Sequence, residues 1–232
     1  MKFRIICISL FILSGITASA KKKGVTLWSG GSISLFMPTN LMNGENTLGF
    51  NDVSNMGFGV KGNFDWYFQP NLVIGAEVGY SHSTVDQEYW DMNKYGVVKG
   101  GYTTIPLMIN SQIIFDHKGD VRPFVGVAFG GDLLLNDFDF QSSYENNAEY
   151  PDYTYATSNF KPAVAAEVGV QFMLSTNSLL SLSGRFNYIS DLDPEITIVY
   201  DEYGYPTSSY VKNPHARQNF FELIVGLKFG VN

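Results

Sequence analysis

Seven charged residues recur in alternate positions of otherwise apolar or glycine-rich stretches: Lys61, Asp65, Glu77, Glu167, Arg185, Glu222 and Lys228. Acids and bases in such a pattern can do one of two things. Crowded into a narrow space they pair and fill it, because confined charge must be compensated. Set in line with room between them, they pass protons, ions or small solutes. Local connections already define two pairs: a hairpin turning at Ser175 to Ser178 brings Glu167 level with Arg185, and one turning at Pro70 sets Lys61 diagonal to Glu77.

A nucleophile with an oriented base is the next chemistry to seek. His82 with Ser81, Ser83 or Thr84 is the one local candidate. Adjacent strand residues point to opposite faces, so only Thr84 shares a face with His82, and no acid in that row completes the set. No catalytic residue is expected. His82, His117 and His215 lie in separate segments without zinc-ligand spacing, so neither metal nor cofactor is expected. Asp137, Asp139, Glu145, Glu149 and Asp152 form one acidic group, and Asp191, Asp193, Glu195, Asp201 and Glu202 another. Both offer calcium-type oxygen ligands, yet neither follows a spaced calcium-loop motif, and both read as solvated loops. Tyr144, Tyr150, Tyr153, Tyr155, Tyr200, Tyr203, Tyr205 and Tyr210 accompany them. Tyrosine among Ser and Asn makes adaptable contacts, so binding of a protein partner or a surface at these loops is the alternative reading.

The elements that carry the charges alternate with period two, the signature of half-buried strands. Met56, Phe58, Val60, Phe64, Trp66 and Phe68 form one row, with Gly57, Gly59, Lys61, Asn63, Asp65 and Tyr67 on the other. After the turn Gln69-Pro70-Asn71, Ile74, Ala76, Val78 and Tyr80 oppose Gly75, Glu77, Gly79 and Ser81. Similar rows run through 104–115, 122–130, 160–172, 180–188 and 221–229, and Val25 to Phe36 makes the eighth strand. Pro106 departs from the simple rule, because a mid-strand proline removes a ladder hydrogen bond, and a bulge is one way to tolerate it.

Turns near 69–71, 116–121 and 175–178 are short, whereas 37–55, 86–96, 136–158 and 191–215 are long and polar. An even strand number with short turns at one end and long loops at the other is the pattern of an outer-membrane barrel, with both chain ends periplasmic. A water-soluble barrel would turn the apolar row inward. Eight rows as bulky as Met56 to Phe68 do not fit inside eight strands, so that row faces lipid and the charged, glycine-rich row faces the lumen. The expected fold is therefore all-β: an eight-stranded antiparallel up-and-down transmembrane β-barrel.

Composition agrees with this division. The chain has 232 residues, 45% hydrophobic, 15% aromatic and 16% charged, with a formal charge of −7. Its aromatic content excludes a disordered tail, and the lack of a basic stripe excludes a nucleic-acid binder. A mean hydropathy of −0.02 beside 14 Tyr, 18 Phe and 23 Gly fits strands that are greasy on one side only. At the front, Met1 to Arg4 is basic, Ile5 to Ile16 is apolar and Thr17-Ala18-Ser19-Ala20 has the A-x-A form. Residues 1–20 thus read as a secretory signal peptide and 21–232 as the barrel domain. The apolar run is shorter than the roughly 20 residues of a membrane-crossing helix. Cleavage removes Lys2, Arg4 and the single cysteine, Cys7, leaving a mature charge of −9.

Gly101-Tyr102-Thr103-Thr104-Ile105-Pro106-Leu107, Arg122-Pro123-Phe124-Val125-Gly126-Val127, Leu182-Ser183-Gly184-Arg185-Phe186-Asn187-Tyr188 and the ending Phe220 to Phe229 carry a resemblance. With these the chain resembles small eight-stranded outer-membrane proteins of the OmpA-barrel, OmpX and OmpW type, including the PorT-like group. The resemblance implies a monomer in outer-membrane lipid and lipopolysaccharide, assembled by the outer-membrane machinery. Gly226, Leu227 and Phe229 would form its assembly signal. The expected role is structural or interaction-based, with a side-chain-filled lumen. The alternatives are a narrow porin-like transporter of small or hydrophobic solutes and, from the PorT-like resemblance, an assembly factor for protein secretion.

Overall fold

The computed structural model describes residues 26–41, 50–88, 97–116, 118–141, 153–190, 198–200, 206–209 and 218–231. Its strands are β1 Thr26–Pro38, β2 Ser54–Gln69, β3 Leu72–Val85, β4 Val97–Ile114, β5 Val121–Gln141, β6 Tyr153–Ser175, β7 Ser178–Ile189, β8 Ile198–Tyr200, β9 Pro206–Ser209 and β10 Phe220–Val231. A single helical turn, α1 (Phe50–Val53), precedes β2. β1 to β7 and β10 close into one antiparallel barrel in the order β1-β10-β7-β6-β5-β4-β3-β2, while β8 and β9 form a separate hairpin.

The expected faces hold. Met56, Phe58, Val60, Phe64, Trp66 and Phe68 point outward and are 38% to 66% exposed, whereas Lys61, Asp65 and Tyr67 are buried in the lumen. Outward aromatics stand at both margins of the apolar wall, with Phe64 and Phe129 between them. Trp66, Phe68 and Phe229 lie at the turn end and Phe58, Tyr188 and Phe221 at the loop end, as in the girdles of membrane barrels.

Register fixes the barrel's dimensions. From Ser34, the pairs through β2, β3, β4 and β5 lead to Asn159 on β6. The pairs through β10 and β7 lead instead to Gly169, a stagger of ten residues. With eight strands and ordinary strand spacings this sets a tilt of about 41° and a backbone radius of about 8 Å. At that tilt an apolar band of about 25 Å takes about ten residues per strand.

β5 and β6, with 21 and 23 residues, run well beyond that need. The outward row of β5 stays apolar from Val121 to Leu135 and then becomes polar at Asp137 and Asp139. Asp139 lies opposite Lys99 and accepts a hydrogen bond from Thr154 Oγ1 at 2.7 Å. β4, β5 and β6 therefore continue past the barrel as a three-stranded sheet. Gly100, with φ of 109°, lies beside the last β3 to β4 pair, where β4 leaves the wall. The last β6 to β7 pair is Ala163 with Ile189, and the carbonyl of Pro162 accepts from Ser190 N.

Two expectations are corrected here. Segment 136–158 is not all loop, because 136–141 and 153–158 belong to β5 and β6; likewise 191–215 contains the β8 and β9 hairpin. Pro106 makes no bulge. The β3 to β4 register is unchanged between Val78 with Leu107 and Ser81 with Thr104, and the ladder simply lacks the two intervening pairs. Space for the ring comes from Gly79, where a Cβ would stand 3.1 Å from Pro106 Cγ.

Candidate functional site

All seven charged residues singled out from sequence lie in the lumen, on strands β2, β3, β6, β7 and β10. The hairpins deliver the two anticipated approaches. Glu167 and Arg185 are direct cross-strand partners, with Arg185 Nη2 donating to Glu167 Oε2 at 2.7 Å. Lys61 Nζ stands 3.7 Å from Glu77 Oε1 on the diagonal.

The remaining pairs appear only when the barrel closes. Ring order places β3 diametrically opposite β7, and the Arg185 guanidinium spans that diameter to grip Glu77 with both terminal nitrogens, one at 2.8 Å. Lys61 also bonds Glu222, and Lys228 bonds Asp65. Glu222 further accepts from Asn187 Nδ2 at 2.9 Å and Ser34 Oγ at 3.0 Å. Each of these carboxylates is thus held by charge-assisted bonds, the condition under which buried ions are tolerated. A second diameter, β2 to β6, is crossed by Tyr67 Oη donating to Gln171 Oε1 at 3.1 Å.

Apolar caps bound this charged layer. At the loop end Phe36, Phe50, Tyr102, Phe138 and Phe220 are buried, with Phe36 and Phe220 edge to face at 4.6 Å and Phe50 and Tyr102 at 5.0 Å. α1 supplies Phe50 and Val53, both fully enclosed. At the turn end Trp28, Tyr67, Val73, Ile114, Phe124 and Leu179 form the other cap. Between them three cations and four carboxylates interlock across the lumen.

Sequence reading missed Asp132, which is 2% exposed and whose Oδ1 has no hydrogen-bond partner in the protein. It continues the inward parity of Ala128 and Gly130, which was the available signal. The α1 cap and the Tyr67 to Gln171 bridge carried no local signal. Gly226 turns inward beside Ser32, while Leu227 and Phe229 face outward on β10.

Elsewhere, His82 Nδ1 lies 3.0 Å from Thr103 Oγ1, across from it on β4. Among the described residues no group of three or more His, Cys, Asp or Glu is placed to hold a metal ion. Asp137, Asp139, Tyr153, Tyr155 and Tyr200 lie in strands. His117, His215, Glu145, Glu149, Asp152, Asp191, Asp193, Glu195, Asp201, Glu202, Tyr144, Tyr150, Tyr203, Tyr205 and Tyr210 fall outside the described residues, as do residues 1–20.

No protein-family model matches the chain, and no curated protein matches it. Solved structures do. The chain is similar to a major outer membrane protein of Thermus thermophilus, with 13% identity and a TM-score of 0.52 over 88% of this chain and 99% of that one. It is also similar to Neisserial surface protein A, with 14% identity and a TM-score of 0.50 over 89% and 99%. The chain is an eight-stranded closed antiparallel β-barrel with the fold of small bacterial outer-membrane barrels.

Proposed function

We propose that this protein is a sealed outer-membrane barrel with a structural or interaction role, holding a rigid sheet and its loops at the cell surface. The observation that carries the reading is a lumen bridged across its diameter by Arg185 and Glu77 and capped by aromatic clusters, while β4, β5 and β6 continue beyond the apolar wall. A narrow pore has no use for both features. A mount for a contact surface uses each, since a locked barrel wall transmits no slack to the sheet it carries.

In this reading residues 1–20 are the export signal and 21–232 the mature barrel, with lipopolysaccharide around the wall and both termini periplasmic. Lys61, Asp65, Glu77, Glu167, Arg185, Glu222 and Lys228 are the lumen plug. Gly226, Leu227 and Phe229 guide assembly by the outer-membrane machinery.

Crosslinking in native membranes from positions 137, 139 and 154 tests the role. Capture of one stoichiometric protein partner is the expected result. Solute uptake that disappears on deletion, without any captured partner, would overturn it in favour of transport.

A further inference from the structure

Charge does not balance inside the barrel. Among the described residues the buried layer sets Lys61, Arg185 and Lys228 against Asp65, Glu77, Glu167, Glu222 and Asp132. The first four acids each meet a cation: Asp65 meets Lys228, Glu77 and Glu167 meet Arg185, and Glu222 meets Lys61. Asp132, which is 2% exposed and whose Oδ1 has no hydrogen-bond partner in the protein, joins no ion pair among the described residues. We propose that Asp132 is a proton-binding site, whose carboxyl carries a hydrogen in the folded barrel at neutral pH and releases it as the pH rises.

Position and charge carry the assignment. Asp132 stands where the charged layer gives way to the loop-end cap, since Leu134, the next inward residue on β5, belongs to that cap. On the β4 side it faces Pro106, which brings no charge, and on the β6 side Lys161, which makes no ion pair with it. The other charged groups that act on it are Lys61 on β2, Glu77 on β3, Arg185 on β7 and Glu222 on β10.

Both cations in that set are already shared. Lys61 lies between Glu222 and Glu77, and Arg185 between Glu77 and Glu167. An ionised Asp132 would add a fifth negative charge beside Glu222 and Glu77 with no cation of its own. A buried carboxyl in that position takes up a proton rather than stay charged. Ionised at higher pH, it competes with Glu222 for Lys61 and loosens the layer at its loop-end margin. The unfolded chain gives up the same proton at about pH 4, so the stability that the bound proton confers is lost as the pH rises above that value.

The test is infrared spectroscopy of the full chain in ester-free detergent micelles, where the C=O stretch of a protonated carboxyl stands apart from the bands of ionised carboxylates. Wild-type protein at neutral pH should show a protonated carboxyl that disappears on raising the pH and is absent from Asp132→Asn. A second readout is urea unfolding from lipid vesicles: from about pH 4 upward, the wild-type unfolding constant should rise against that of the variant by up to tenfold per pH unit, until the proton is released. A wild-type protein without the band, or a band that survives in Asp132→Asn, would overturn the site. So would a band that appears only when alkali cations are removed, which would assign the excess charge to a bound metal ion.

Discussion

Midway along the lumen, Arg185, Lys61 and Lys228 meet carboxylates from other strands, whereas at the loop end Phe36, Phe50, Tyr102, Phe138 and Phe220 pack ring against ring. Both regions lie on the same inward rows and both fill the interior of the barrel. They do so by different physics. Buried ion pairs are directional and each needs its own partner, so loss of one leaves an uncompensated charge. Aromatic packing is set mainly by volume and burial, so a swap of similar size is absorbed. The middle should therefore fail sharply on single substitutions, and the ends gradually.

The largest expected effect is Arg185→Ala, which strands Glu77 and Glu167 in the lumen. It should cost about 4 kcal/mol in urea unfolding from lipid vesicles. A loss under about 1 kcal/mol would erase the contrast between centre and ends.

Arg185→Lys keeps the charge but cannot hold Glu77 with two parallel bonds while also reaching Glu167. About 2 kcal/mol is expected in the same assay. Phe36→Leu, the matching conservative change in the cap, should cost about 1 kcal/mol. If the two conservative variants are equal, directionality is not what distinguishes the regions. Asp139→Ala, on the exposed sheet beyond the wall, removes one bond from Thr154 and should shift unfolding by no more than about 0.5 kcal/mol. That variant separates the sheet's contact role from barrel stability, because partner capture can change while the melting of the barrel does not.

Period two made the strands and their faces legible, since every slip of one residue would turn Phe58 or Trp66 inward and Lys61 outward. The two ion-pair approaches set by short hairpins, Glu167 with Arg185 and Lys61 with Glu77, were legible for the same reason. Arg185 with Glu77, Lys61 with Glu222 and Lys228 with Asp65 were not. These pairs join strands far apart in sequence, and their register follows from a stagger accumulated around the whole ring. The extension of β5 and β6 was hidden by composition, because polar residues such as Asp137, Asp139 and Thr154 look alike in a loop and in a strand outside the wall. Pro106 misled for a further reason. Proline's missing donor can be accommodated by leaving two pairs out of the ladder, with Gly79 making room, as well as by inserting a residue.

The most direct test of a sealed lumen is electrical. Purified protein inserted into planar lipid bilayers should give no steady large conductance, and the traces should stay at baseline whichever side the protein is added from. Reproducible open channels in the wild-type protein would contradict the account.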